Sequence, residues 1–189
     1  LDQADLALIS TAGSVPQGGV AVPLFRWKRV LLVQAAHPLA ALRRAPSLAE
    51  LAAHPLISYE SSIRADSSLQ RAFAGAAVTP QIAMTARDAN LIKTYVRAGL
   101  GAGLLAEMAT GTREDEDLRI IEAPAEIPEC ITWAVIPRGR VLRDYALSLL
   151  HGLAPQLDRR DLRRVLEGNQ EPNWPQPPRW VELTQSISA

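Results

Sequence analysis

Apolar residues in this chain fall in short clusters whose spacing changes repeatedly between that of a strand and that of a helix. Residues 4–9 are an apolar run that stops at Ser10, Thr11 and Gly13, the brevity and turn formers of a buried strand. GVAVPLF and KRVLLVQAA read as two further extended segments around Trp27. In PSLAELAAHP, Ser47 and Glu50 stand at capping-box spacing and Pro55 limits a two-turn helix. LISY (56–59) predicts a strand. SSLQRAFAGA (67–76) predicts a helix with Leu69, Ala72 and Phe73 on one face, and QIAMTA (81–86) is extended again after Pro80.

The best-formed element is ARDANLIKTYVRAGLGAGLLAEM, residues 86–108. Asp88 is a good N-cap, Leu91, Ile92, Tyr95 and Val96 share a predicted inward face, and Gly99 stands where a helix end requires positive φ. LGAGLLA then returns to the sheet. TREDEDLR (112–119) reads as a charged surface turn, its acidic run a solvated face rather than a metal site. CITWAVIP is a strand, and VLRDYALSLLHGLAPQL an amphipathic helix with Leu142, Tyr145, Ala146 and Leu149 aligned. DRRDLRRVLEG predicts a short basic helix. NQEPNWPQPPRWVEL, with four prolines and two tryptophans in fifteen residues, predicts an extended or flexible tail.

Strands alternating with helices predict an α/β fold of right-handed βαβ units, with a mainly parallel sheet covered on both faces. Ligands of such sheets lie at the carboxyl ends of the strands.

Composition narrows the functions. Lys and Arg number 20 against 20 Asp and Glu, so the chain lacks the basic excess of a surface that binds DNA by itself. The single cysteine, Cys130, cannot form an internal disulfide, and its apolar setting suggests a buried thiol in a reducing, cytoplasmic setting. No run reaches the roughly 20 apolar residues of a membrane span. The start LDQADLALIS has no targeting pattern and enters a strand almost at once, as a fragment would.

Three predicted strand-to-helix junctions offer hydroxyls, backbone N–H groups or a cation: Ser10 with Thr11, ESSIRADSS (60–68) with Ser61, Ser62 and Arg64, and Arg87 with Asp88. Helix N-termini favour anions, so these junctions together would make a small anion pocket, although for any single serine capping or turn chemistry is the commoner role. Arg64 could grip a carboxylate or sulfate, or pair with Asp66 or Glu60. His37, His54 and His151 sit at helix borders, and there is no nucleophile elbow, zinc motif or P-loop. No catalytic activity, cofactor or metal is expected.

TARDANLIKTYVRAGLGAGLLAEMA closely resembles a segment of LysR-type transcriptional regulators of the CysB/Cbl subfamily, with its pattern T-A-x-D-A-D-V-I-K-T-Y-V-R-x-G-L-G-V-G. RWKRVLLVQAAHPLA, SLAELAAHPLISYE and QADLALIS resemble further segments of that family, so the similarity runs from about residue 3 to about residue 155. The resemblance implies a type II periplasmic-binding-protein-like fold of two Rossmann-like lobes with a ligand cleft between them. Residues 1–27 and 127–158 would form an incomplete lobe I, 28–126 lobe II, and 159–189 a flexible extension. The winged helix-turn-helix that meets promoter DNA would lie upstream of Leu1.

Carried over by resemblance, Ser10 would contact the effector with Thr11 beside it, and Trp27 would belong to the cleft wall or hinge. Arg64 replaces the family's ligand-facing threonine in the loop ESSIRADSS, which suggests a larger or carboxylated anion. The resemblance implies a homodimer or homotetramer that senses a sulfur metabolite such as sulfate, thiosulfate or an acetylserine-like compound. The helix around Leu69 and Phe73 either packs inward or contributes to pairing. A competing reading is the solute-binding protein of a transporter for a small anion, against which the missing export signal counts.

Overall fold

A computed structural model describes residues 4–139 and 142–187. In chain order the elements are β1 (Ala7–Thr11), β2 (Val20–Trp27), β3 (Arg29–Gln34), α1 (Leu48–Ala52), β4 (Pro55–Tyr59), α2 (Ser68–Gly75) and β5 (Gln81–Ala86). They continue with α3 (Ala89–Arg97), β6 (Ala102–Ala106), β7 (Leu118–Glu122), β8 (Cys130–Ile136), α4 (Asp144–Leu153), α5 (Arg159–Leu166) and α6 (Trp180–Ile187). The chain divides into two compact units: Leu1–Trp27 with Glu129–Ala189, and Lys28–Pro128.

In the second unit a five-stranded sheet has the order β5-β4-β6-β3-β7. β4 runs parallel to β5 and β6, while β3 is antiparallel to β6 and β7. The expected mainly parallel sheet is therefore mixed. Hydrophobic periodicity carries no strand direction; crossover helices impose it, and β3 enters the sheet straight from β2, with only Lys28 between them.

Alternation along the strands divides the core of this sheet. Leu31, Val33, Leu56, Ala102 and Leu104 pack with Leu48, Leu51, Leu69 and Phe73 from α1 and α2 on one face. Leu32, Ile57 and Leu105 pack with Ile92 and Val96 of α3 on the other. Leu69 and Phe73 are fully buried in this core, so they pack inward and are not part of a pairing surface. At α1 the capping box forms as expected, with Glu50 N–H donating to Ser47 Oγ (3.2 Å) and Ser47 N–H to Glu50 Oε2 (2.8 Å). Arg44 donates to both Glu50 oxygens at 2.7 and 2.8 Å, and these bonds, with the Ser47 cap, hold the Glu50 carboxyl at about 2.

α3 begins at Asp88, whose Oδ1 accepts from Leu91 N–H at 2.9 Å. It ends in a Schellman motif, Gly99 N–H to the Val96 carbonyl and Leu100 N–H to the Tyr95 carbonyl, with Gly99 at φ 74. Its buried stripe is Ile92, Lys93 and Val96, and Leu91 is 37% exposed. The expected face was thus rotated toward solvent, because a count of apolar side chains passes over a lysine that lies inside. Lys93 Nζ meets Asp115 Oδ2 at 2.9 Å, with both side chains buried. Asp115 belongs to the acidic run expected to be solvated, and its neighbours Glu114, Glu116 and Asp117 are exposed.

The first unit holds a three-stranded antiparallel sheet, β1-β8-β2. Its strands pair antiparallel, against the expected parallel arrangement. On α4, Ala146 and Leu150 are buried while Tyr145 and Leu149 are exposed, so the helix is turned from its expected face. α5 forms as the expected basic helix, capped by Asp158 and burying Leu162 and Val165.

The Pro/Trp segment, expected as an extended or flexible tail, is extended and packed along β2. Trp174 Nε1 donates to the Ala21 carbonyl at 2.8 Å and Arg26 N–H to the Pro178 carbonyl at 2.9 Å. Phe25 and Trp180 bring their ring centroids within 5.1 Å. Prolines cannot donate to a ladder, but their carbonyls accept from an edge strand and their rings cover apolar surface.

Candidate functional site

The expected site residues divide between the units: Ser10, Thr11 and Trp27 in the first, and Ser61, Ser62, Arg64 and Asp88 in the second. Ser10 and Thr11 lie within β1, not at a strand-to-helix junction, since the chain continues from β1 to β2 without a helix. No helix dipole acts on them through such a junction. The three predicted junctions also do not share one sheet, as β1 pairs only with β8 among the described strands, while β4 and β5 lie in the other sheet.

Adjacent residues of a strand point to opposite faces, and this separates the two hydroxyls. Thr11 is committed on its own face: its Oγ1 accepts from Trp133 Nε1 at 2.9 Å and its hydroxyl donates to the Ser14 carbonyl. Ser10 stands opposite Thr132 in the β1/β8 register, and their hydroxyl oxygens are 2.9 Å apart. Trp27, at the end of β2, is buried and donates its indole N–H to Thr132 Oγ1 at 3.0 Å. Ser10 and Trp27 are thereby joined through Thr132. The sequence reading missed Thr132, which lies one position before the tryptophan in CITWAVIP, inside a run read only as a strand.

In the second unit, β4 and β5 end side by side, Tyr59 opposite Ala86, so the 3-10 turn at 60–63 and the Arg87–Asp88 pair lie on one edge. Arg87 pairs with Glu60 at 3.3 Å across that edge. Ser61 is exposed and Ser62 buried, with the Ser62 carbonyl accepting from Ser67 Oγ at 2.8 Å. Ser67 is the N-cap of α2. Arg64 is exposed and pairs with Asp66 at 3.1 Å, which lowers the Asp66 carboxyl through that hydrogen bond and the guanidinium charge. The ion-pair reading of Arg64 is the arrangement present.

Two polar residues at this edge escaped the sequence reading. Arg29 Nη2 donates to Ser68 Oγ at 3.1 Å, at the start of α2. Tyr59 is half-buried, and burial raises its phenol above the ordinary range against the opposing effects of a backbone hydrogen bond at Ala106 and the Arg29 charge. The edge thus carries hydroxyls and guanidiniums next to two helix starts, with Arg64 and Arg87 each paired to a carboxylate. Hydroxyls, guanidiniums and helix starts are groups with which an anion can be held, and among the described residues this edge shows no nucleophile paired to a base. His37 caps the 3-10 turn at 38–41, accepting from Leu39 N–H, and its ring lies 4.8 Å from that of His54. Among the described residues no group of His, Cys, Asp or Glu is placed to hold a metal, and no helix is long and apolar enough to cross a membrane.

Two α/β units, one built on an antiparallel sheet and one on a mixed sheet, have the fold of an effector-binding domain of the type II periplasmic-binding-protein-like class. The chain belongs to the LysR family: residues 1–158 match the LysR substrate binding domain. It is 37% identical over 171 residues to the HTH-type transcriptional regulator CysB of Burkholderia cenocepacia, covering 90% of this chain and 54% of that protein. It is 34% identical over 170 residues to the HTH-type transcriptional regulator cbl of Escherichia coli K12, covering 89% of this chain and 54% of that one. The chain spans about half the length of these curated relatives. Among solved structures it is similar to the cofactor-binding domain of the Cbl transcriptional regulator, with a TM-score of 0.76 at 32% identity, covering 87% of this chain and 72% of that one.

Proposed function

We propose that this chain is the effector-sensing domain of a LysR-type regulator that binds a small sulfur-related anion and controls sulfur assimilation or sulfonate-use genes. The observation that carries the reading is the similarity to CysB and cbl across about nine-tenths of the chain. The geometry supports it. Ser10 retains hydrogen-bonding capacity outside its contact with Thr132, whereas Thr11 is committed elsewhere, so of the β1 pair we assign Ser10 to the effector. In the second unit we assign Ser61, Ser62, Arg64 and Asp88 to effector binding, at the edge where β4 and β5 end. Arg64 acts as a rim cation once an anion competes with Asp66, and Asp88 acts by fixing the start of α3. Sulfate, thiosulfate and an acetylserine-like compound are the effectors proposed. Promoter DNA is met by a winged helix-turn-helix in the intact protein, which works as a homodimer or homotetramer.

The intact regulator should change its footprint or mobility on the promoter of its own sulfur-related targets when one of these three compounds is added. An unaltered complex with all three, on DNA the protein binds, would contradict the assignment.

A further inference from the structure

We infer that Thr132 is a positioning residue of the effector site: it links the Trp27 indole to Ser10 and turns the Ser10 hydroxyl proton outward, toward the anion. The inference rests on the effector reading above. Its basis is the direction that hydrogen bonds are forced to take. An indole N–H only donates, so the 3.0 Å contact from Trp27 makes Thr132 Oγ1 the acceptor. Thr132 is buried and keeps one hydroxyl proton, and Ser10 Oγ stands 2.9 Å away in register across β1 and β8. With Thr132 donating to Ser10, the chain runs Trp27 N–H to Thr132, Thr132 O–H to Ser10, and Ser10 O–H to the ligand.

The opposite order would aim the lone pairs of Ser10 at an anion. An anion therefore selects the donating order, and successive donation along the chain strengthens the last bond. The same logic separates Ser10 from Thr11. The Thr11 hydroxyl proton is already taken by the Ser14 carbonyl.

The test is calorimetric titration of the intact protein with sulfate and thiosulfate, comparing Thr132→Val, Thr132→Ser, Ser10→Ala and Ser10→Ala/Thr132→Val. Thr132→Val should weaken binding about ten-fold, the scale of one hydrogen bond to a charged group. Thr132→Ser should restore most of that loss, and Thr132→Val should add little once Ser10 is alanine. Unchanged affinity in Thr132→Val, or an equal further loss in the Ser10→Ala background, overturns the inference while leaving the effector reading intact. Absence of sulfate and thiosulfate binding by the unaltered protein overturns the inference, and the effector reading falls with it if O-acetylserine also fails to bind.

Should Thr132→Val not fold, the Trp27 indole N–H resonance decides. It should shift on anion binding in the unaltered protein and stay fixed in Ser10→Ala at an anion concentration that saturates the variant. An indole signal unmoved in an unaltered protein that binds the anion overturns the relay.

Discussion

Lys93→Met is expected to destabilise the second unit by about 3–5 kcal/mol, the cost of leaving one member of a buried ion pair without its partner. Methionine fills nearly the same volume, so the loss is electrostatic. Asp115 would keep the Thr112 hydroxyl at 3.1 Å, a backbone hydrogen bond from Thr112, and Arg97 at 3.6 Å. The partly exposed Arg97 offsets some of the charge and places the effect toward the lower end of that range. Urea denaturation of the intact protein measures it. A loss under about 1 kcal/mol would show the pair to be dispensable. The double variant Lys93→Met/Asp115→Leu should recover most of the stability, because an apolar pair of similar volume replaces a buried ion pair at little cost.

The pair also sets a pH dependence. Burial acts to raise the Asp115 carboxyl, but the hydrogen bond and charge of Lys93, with the Thr112 bonds, outweigh it and hold the group below the ordinary range. The unfolded chain then binds more protons than the folded one. The stabilisation is complete above about pH 4, the ordinary aspartate value, and is lost as pH falls through the lower folded value. Lys93→Met should flatten the acid limb of stability against pH.

Gly101→Ala is the second large effect expected, about 3 kcal/mol or more, because two costs coincide. Gly101 sits at φ 152, and a Cβ there would lie 2.9 Å from the carbonyl carbon of Pro55 and closer still to its oxygen. The obstacle is backbone of the neighbouring strand β4, which pairs with β6 from Leu56 and Ala102 onward, so relief requires parting two central strands. Gly99→Ala is the internal comparison. Its φ of 74 carries strain, but its nearest contact is the flexible Gln34 side chain at 3.7 Å, so about 1 kcal/mol is expected. Equal urea midpoints for the two variants would contradict this reading of the close approach.

Much of the architecture was legible because local rules and tertiary packing agree. The Ser47/Glu50 box, the Asp88 cap and the Gly99 helix end are set by residues within a few positions of one another, and all three form. What was not legible depends on partners distant in sequence. Lys93 is buried because Asp115, 22 residues on, is buried with it, and nothing local marks either. Thr132 joins Ser10 across 122 residues and Trp27 across 105, through a strand order that periodicity does not encode. The direction of β3 and β8 was lost for the same reason. The extended course of the tail was legible from its prolines, but its docking was not: Trp174 and Trp180 supply the anchoring that composition alone does not weigh.

The central claim, a sensor for a small sulfur-related metabolite, is tested most directly by isothermal titration calorimetry of the intact protein with sulfate, thiosulfate and O-acetylserine. Saturable heat with at least one of them at millimolar or lower concentration, weakened by Arg64→Ala, is the result predicted. Absence of heat with all three would contradict it.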